Sequence, residues 1–125
     1  MKDKVFLGIQ VLVGLMLIVF GLNKFLHFIP MPPPTEEMGA YMGALIQTGF
    51  LFPLIALIEI IVGFSLVINK FAALMVLIVM PVMINAILAH LFLDPAGIGA
   101  SAFIVSALII VIIRHKERYS SLFKA

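Results

Sequence analysis

Residues 71–93 read FAALMVLIVMPVMINAILAHLFL, an apolar run broken only by Asn85 and His90 and without a single Lys, Arg, Asp or Glu. A helix needs about 20 mostly apolar residues to cross a bilayer core, and a strand or an amphipathic helix has no use for so long a run. The stretch is therefore a membrane span. Working outward, residues 51–68 form a second such run, with Pro53 tolerated in its first turn and Asn69-Lys70 as a tight link. On the other side, Asp94 offers an N-cap and Pro95 an N1 residue for a further span over about 97–113. The remaining long run, residues 5–22, is interrupted by Gln10 and three glycines. No small-x-small cleavage site follows it, so it reads as a retained helix rather than a signal peptide.

Composition agrees with four spans. Of 125 residues 64%, or 80, are hydrophobic and 11% are charged, against about 25% charged in water-soluble domains. There is no charged tail long enough to hold nucleic acid. Cysteine is absent, which excludes disulfides, thiolate nucleophiles, CxxC redox pairs and iron–sulfur clusters built from this chain alone. The expected fold is all-α, an integral-membrane up-down four-helix bundle with a single transmembrane domain over 1–125.

Between the first two long runs lies Ile29-Pro30-Met31-Pro32-Pro33-Pro34, which reads as an extended outer loop. Thr35 with Glu36 and Glu37 then signals a helix start, and the whole stretch 29–50 reads as loop plus a short interfacial or half-membrane helix. Lys2, Lys4, Lys70, Arg114, Lys116, Arg118 and Lys124 fall on one side and only Lys24 on the other. By the positive-inside rule both termini, including the basic tail 114–125, are expected in the cytoplasm.

Ionisable groups inside hydrocarbon are candidate functional residues by default. Glu59 sits in the middle of its span, where an ionised carboxylate needs a partner and an unpaired one keeps its proton. Asn85, on the third span and roughly 4–5 Å further out by the 1.5 Å rise per residue, is the partner expected from depth. Pro81 frees the Leu77 carbonyl beside it. A second polar set lies at the outer end. Asn23 and Lys24, four and three residues before His27, are expected to share a face of the first helix with it, and His90 and Asp94 are i, i+4 neighbours. The candidate ligand-binding residues are thus Glu59, Asn85, His90, Lys24, Asn23 and His27. No catalytic nucleophile is indicated, and three scattered histidines lack metal-ligand spacing. Gly39-x-x-x-Gly43, Ala96-x-x-x-Ala100 and Ala102-x-x-x-Ser106 suit close helix contact.

In this order the motifs resemble those of the DoxX family of small four-span membrane proteins. The resemblance rests on Gly21-Leu22-Asn23-Lys24 at the end of the first span, Tyr41-Met42-Gly43 before the second, Glu59-Ile60-Ile61-Val62-Gly63 within it, and Asn85-Ala86 with His90 in the third. It implies a membrane subunit of a quinone-linked redox complex in a bacterial inner membrane, with no intrinsic cofactor, a quinone as ligand and a redox partner subunit. An autonomous enzyme is not indicated. Two other readings stay open: a proton-coupled small transporter in which a homodimer encloses Glu59, and a non-catalytic membrane scaffold or assembly factor.

Overall fold

The computed structural model describes residues 2–125. Among the described residues five α-helices follow one another: α1 (Lys2–Leu26), α2 (Glu36–Gln47), α3 (Leu51–Ile68), α4 (Ala72–Leu93) and α5 (Ile98–Arg114). Short 3-10 segments occupy Pro95–Gly97 and Lys116–Phe123. Four helices are long and apolar enough to cross a membrane: α1, α3, α4, and α5 with the turn before it. They pack as a ring, α1 on α3, α3 on α4, α4 on α5 and α5 back on α1, with α1 and α3 in the most extensive contact. Val13, Leu17, Val62, Leu66, Val76, Val79, Ile104, Leu108 and Val111 fill the centre. The outward positions are equally apolar, among them Leu57, Ile61, Phe64, Leu74, Ile78, Leu88 and Ile109. A helix that is hydrophobic on every face has lipid, not water, as its solvent.

Three glycines set the distance between α1 and α3. A Cβ at Gly63 would stand 2.5 Å from the Gly14 carbonyl oxygen and 2.9 Å from the Ile18 nitrogen. At Gly14 it would stand 2.8 Å from the Gly63 carbonyl oxygen, and at Gly21 2.9 Å from that of Ala56. Gly14 against Gly63 and Gly21 against Ala56 also show that the two helices run antiparallel. This is where the small-residue reading needs correction. Nothing lies within 4 Å of a Cβ at Gly43, only Pro34 at 3.9 Å from one at Gly39, and Ala96 and Ala100 are exposed. Those pairs sit on α2 and on the lipid side of the α4–α5 turn, where no helix faces them. Gly63→Ala should therefore cost about 1–3 kcal/mol, as overpacking does. Gly8→Ala, with nothing within 4 Å, should be neutral or slightly stabilising. Thermal unfolding of the two variants in detergent checks the contrast.

The connections follow from local chemistry. α1 continues one turn past Leu22 because Asn23-Lys24-Phe25-Leu26 contains no breaker, and it stops where His27 enters the left-handed region at φ 51. The α3–α4 link is a Schellman turn: Asn69 at φ 56, its N–H on Leu66 O, and the Lys70 N–H on Ser65 O at 3.1 Å. Thr35 caps α2 as expected, accepting from Met38 N–H at 3.2 Å. Asp94, by contrast, makes no side-chain cap hydrogen bond to the helix it precedes. Pro95 opens a 3-10 turn first, and α5 begins only at Ile98.

α2 lies against the C-terminal half of α4. The Thr35 hydroxyl donates to Leu93 O at 2.5 Å, and two turns deeper the Asn85 amide bonds to the Tyr41 hydroxyl. Within α2 only Met38 is buried. The start of α1 and the end of α5 lie at the end of the bundle away from α2, called the terminal end below, since Gln10 of α1 reaches Arg114 and His115.

Candidate functional site

In the half of the bundle away from the termini, the Lys24 ammonium and the Glu59 carboxylate approach to 2.6 Å. The Glu59 side chain is 5% exposed and that of Lys24 23%. Helical side chains lean toward their own N-terminus. Because α1 and α3 are antiparallel, Lys24 leans toward the terminal end and Glu59 toward the opposite one. The two groups meet between their backbones. Gly21, one turn before Lys24, and Gly63, one turn after Glu59, hold the helices close enough for that contact. A charge in hydrocarbon is costly alone, and here each charge offsets the other's desolvation at ion-pair distance.

The expected partner, Asn85, is elsewhere. Its side chain is exposed on α4 and turned to Tyr41, because α4 borders α2 at that level. Depth along the membrane matched Asn85 to Glu59 but said nothing of helical face. Asn23 also serves the backbone: it accepts from the Ile29 N–H at 2.8 Å and so folds the proline-rich loop back on α1. His27 is exposed at the left-handed end of α1. His90 stands under the α4–α5 turn, where a Cβ at Gly97 would come within 2.9 Å of its Nδ1. That nitrogen is buried with no hydrogen-bond partner among the described residues. Of the six candidates, the structure brings only Lys24 and Glu59 into contact. No three of His, Asp and Glu converge on one point among the described residues.

A second polar cluster, at the terminal end, was not singled out from the sequence. Gln10 is fully buried. Its Nε2 donates to Leu66 O at 3.0 Å and to Asn69 Oδ1 at 2.8 Å. The Leu66 carbonyl can only accept, so the amide orientation is settled and Oε1 must be the acceptor for Arg114 Nη1 at 2.9 Å and His115 Nε2 at 3.1 Å. His115 therefore carries its proton on Nε2. Burial, with the Arg114 and Arg118 cations adding to it, holds His115 below the usual imidazole range. Below the cluster the Tyr119 hydroxyl donates to Ala73 O at 2.7 Å and pins the tail under α4. A lone Gln in an otherwise uncharged apolar run was the signal available for this cluster.

Two surface depressions lie apart from the ion pair. One, at the terminal end, is lined by Asp3, Arg114, His115, Lys116, Glu117 and Arg118. The other is wholly apolar, between α1 and the loop after it, at Leu15, Met16, Val19, Phe20 and Ile29.

Comparison with known proteins gives one match. The family model described as DoxX covers residues 5–91, from the start of α1 to the last turn of α4 and including both members of the ion pair. No curated protein and no solved structure matches the chain.

Proposed function

The chain belongs to the DoxX family, and from that premise we propose that it is the membrane subunit of a quinone-linked redox complex whose ligand site is built on Lys24 and Glu59. The observation that carries this reading is the 2.6 Å ion pair between two membrane-spanning helices. Packing alone gives a bundle no reason to retain such a pair, since apolar residues of similar volume are often as stable or more so.

The residues suit a quinone headgroup. Lys24 has three N–H donors; its ammonium is in ion-pair contact with Glu59, and the partial exposure of the side chain leaves donors within reach of a ring carbonyl. Glu59 balances that ammonium and holds a proton position in a site closed to bulk water. The apolar depression along Leu15, Met16, Val19, Phe20 and Ile29 starts one turn along α1 from Lys24 and suits a prenyl tail. A bound quinone supplies a two-electron, two-proton couple. The chain's own groups orient it, exclude water and exchange protons at the Lys24 and Glu59 atoms. With no cysteine to build a redox centre of its own, the chain would take electrons through a borrowed cofactor or a partner subunit. In this reading the protein sits in a bacterial inner membrane with its cation-rich end toward the cytoplasm, as the positive-inside rule favours, and the ion pair lies in the outer half.

Titration of the reconstituted protein with a short-chain ubiquinone or menaquinone analogue tests the assignment. Affinity should fall at least tenfold in Glu59→Gln and be unchanged in Asn85→Ala and His27→Ala. Equal affinity in Glu59→Gln and wild type would remove Glu59 from the site.

A further inference from the structure

We propose that the depression at the terminal end is a binding site for the phosphate of an acidic phospholipid, held by Arg114, Lys116 and Arg118. This site is at the opposite end of the bundle from the ion pair, so its success or failure is independent of the quinone reading.

Three observations carry it. First, the depression lies between the first turn of α1, which contributes Asp3, and the end of α5 with its tail, which contributes Arg114, His115, Lys116, Glu117 and Arg118. It therefore sits at the level where a spanning helix leaves the hydrocarbon, which is the depth of lipid headgroups. Second, its floor is preorganised. Arg114 is held by Gln10 Oε1, Gln10 is held in turn by Leu66 O and Asn69, and the tail is pinned by Tyr119 on Ala73 O. Arg114 uses one terminal nitrogen on Gln10, which leaves the rest of its donor fork free for phosphate oxygens. Third, the charge is complementary. Lys2, Lys4, Lys70, Arg114, Lys116, Arg118 and Lys124 outnumber Asp3 and Glu117 at this end. The tail also carries Leu122 and Phe123, 64% and 87% exposed, as apolar side chains are when they dip among acyl chains beside a basic segment. Asp3 and Glu117 would repel a phosphate placed against them, so the phosphate belongs on the Arg114–Lys116–Arg118 side.

The test uses the full chain reconstituted in phosphatidylcholine bilayers with spin-labelled phosphatidylglycerol or spin-labelled phosphatidylcholine as probe. The variant Lys116→Gln/Arg118→Gln spares Arg114, whose bond to Gln10 is structural. Each cation near an anionic surface contributes roughly fivefold in affinity. Wild type should thus prefer the phosphatidylglycerol probe, and the variant, short of two cations, should lose up to about 25-fold of that preference. The preference should also weaken as salt is raised. Equal association of both probes with wild type, or an undiminished preference in the variant, would overturn the proposal. Displacement of the probe by millimolar inorganic phosphate would overturn it in favour of a soluble phosphate ligand.

Discussion

Lys24→Met should destabilise the bundle by about 3–5 kcal/mol, the loss seen when one partner of a buried ion pair is removed. Glu59 is then left almost fully buried with no cation in contact. Glu59→Gln should cost less, because Gln still accepts from the ammonium and the partly exposed Lys24 can extend toward the headgroups. The double variant Lys24→Met/Glu59→Met should recover wild-type stability or exceed it, since two flexible apolar side chains of similar volume replace the pair without burying charge. Thermal or denaturant unfolding in one detergent measures all four corners of the cycle. A double variant no more stable than Lys24→Met would mean that the pair is a structural element in its own right.

Gln10→Leu should be comparably damaging, by a different route. One side chain satisfies the Leu66 carbonyl, Asn69, Arg114 and His115. Arg114 and Asn69 lie near enough to water to find new partners. The His115 ring is 8% exposed and the Leu66 carbonyl is buried, and each orphaned buried group costs about 1–3 kcal/mol. The damage is confined to the terminal end. Val13, Leu17, Val62 and Leu66, all buried and apolar, separate Gln10 from the ion pair along α1 and α3, so this variant should lose stability while keeping whatever ligand the pair holds.

The spans were legible because their cause is local: length and apolarity decide a membrane helix, and both are read residue by residue. The all-α four-span bundle followed from that. The helix pairing was harder to read. Gly39 and Gly43 carry the familiar four-residue spacing but meet no helix, whereas Gly14, Gly21 and Gly63, scattered through two runs, make the close crossing. Which small residue faces which helix is a property of the assembled ring, and no single segment records it.

The site was half legible for the same reason. Glu59 stood out because a carboxyl at mid-span is costly wherever it points, and Lys24 because it was the one cation against the charge asymmetry. Their contact was not foreseen. The comparison of depths took side chains as level with their backbones and so favoured Asn85. The lean of helical side chains toward their N-termini brings Lys24 and Glu59 together across antiparallel helices and would have favoured that pairing. Asn23 and Asn85 looked like site residues by type, yet both are used to tie down the loop and α2. An amide that satisfies the backbone and one that binds a ligand are chemically the same in sequence.

Stability and ligand binding separate in two of these variants, which makes one measurement decisive. Lipids retained by the protein after purification in mild detergent should be identified by mass spectrometry for wild type, Lys24→Met/Glu59→Met and Gln10→Leu together. A quinone is expected in wild type and in the less stable Gln10→Leu, and none in the fully stable double variant. A quinone retained equally in the double variant, or none in wild type, would contradict a ligand site at the Lys24–Glu59 pair.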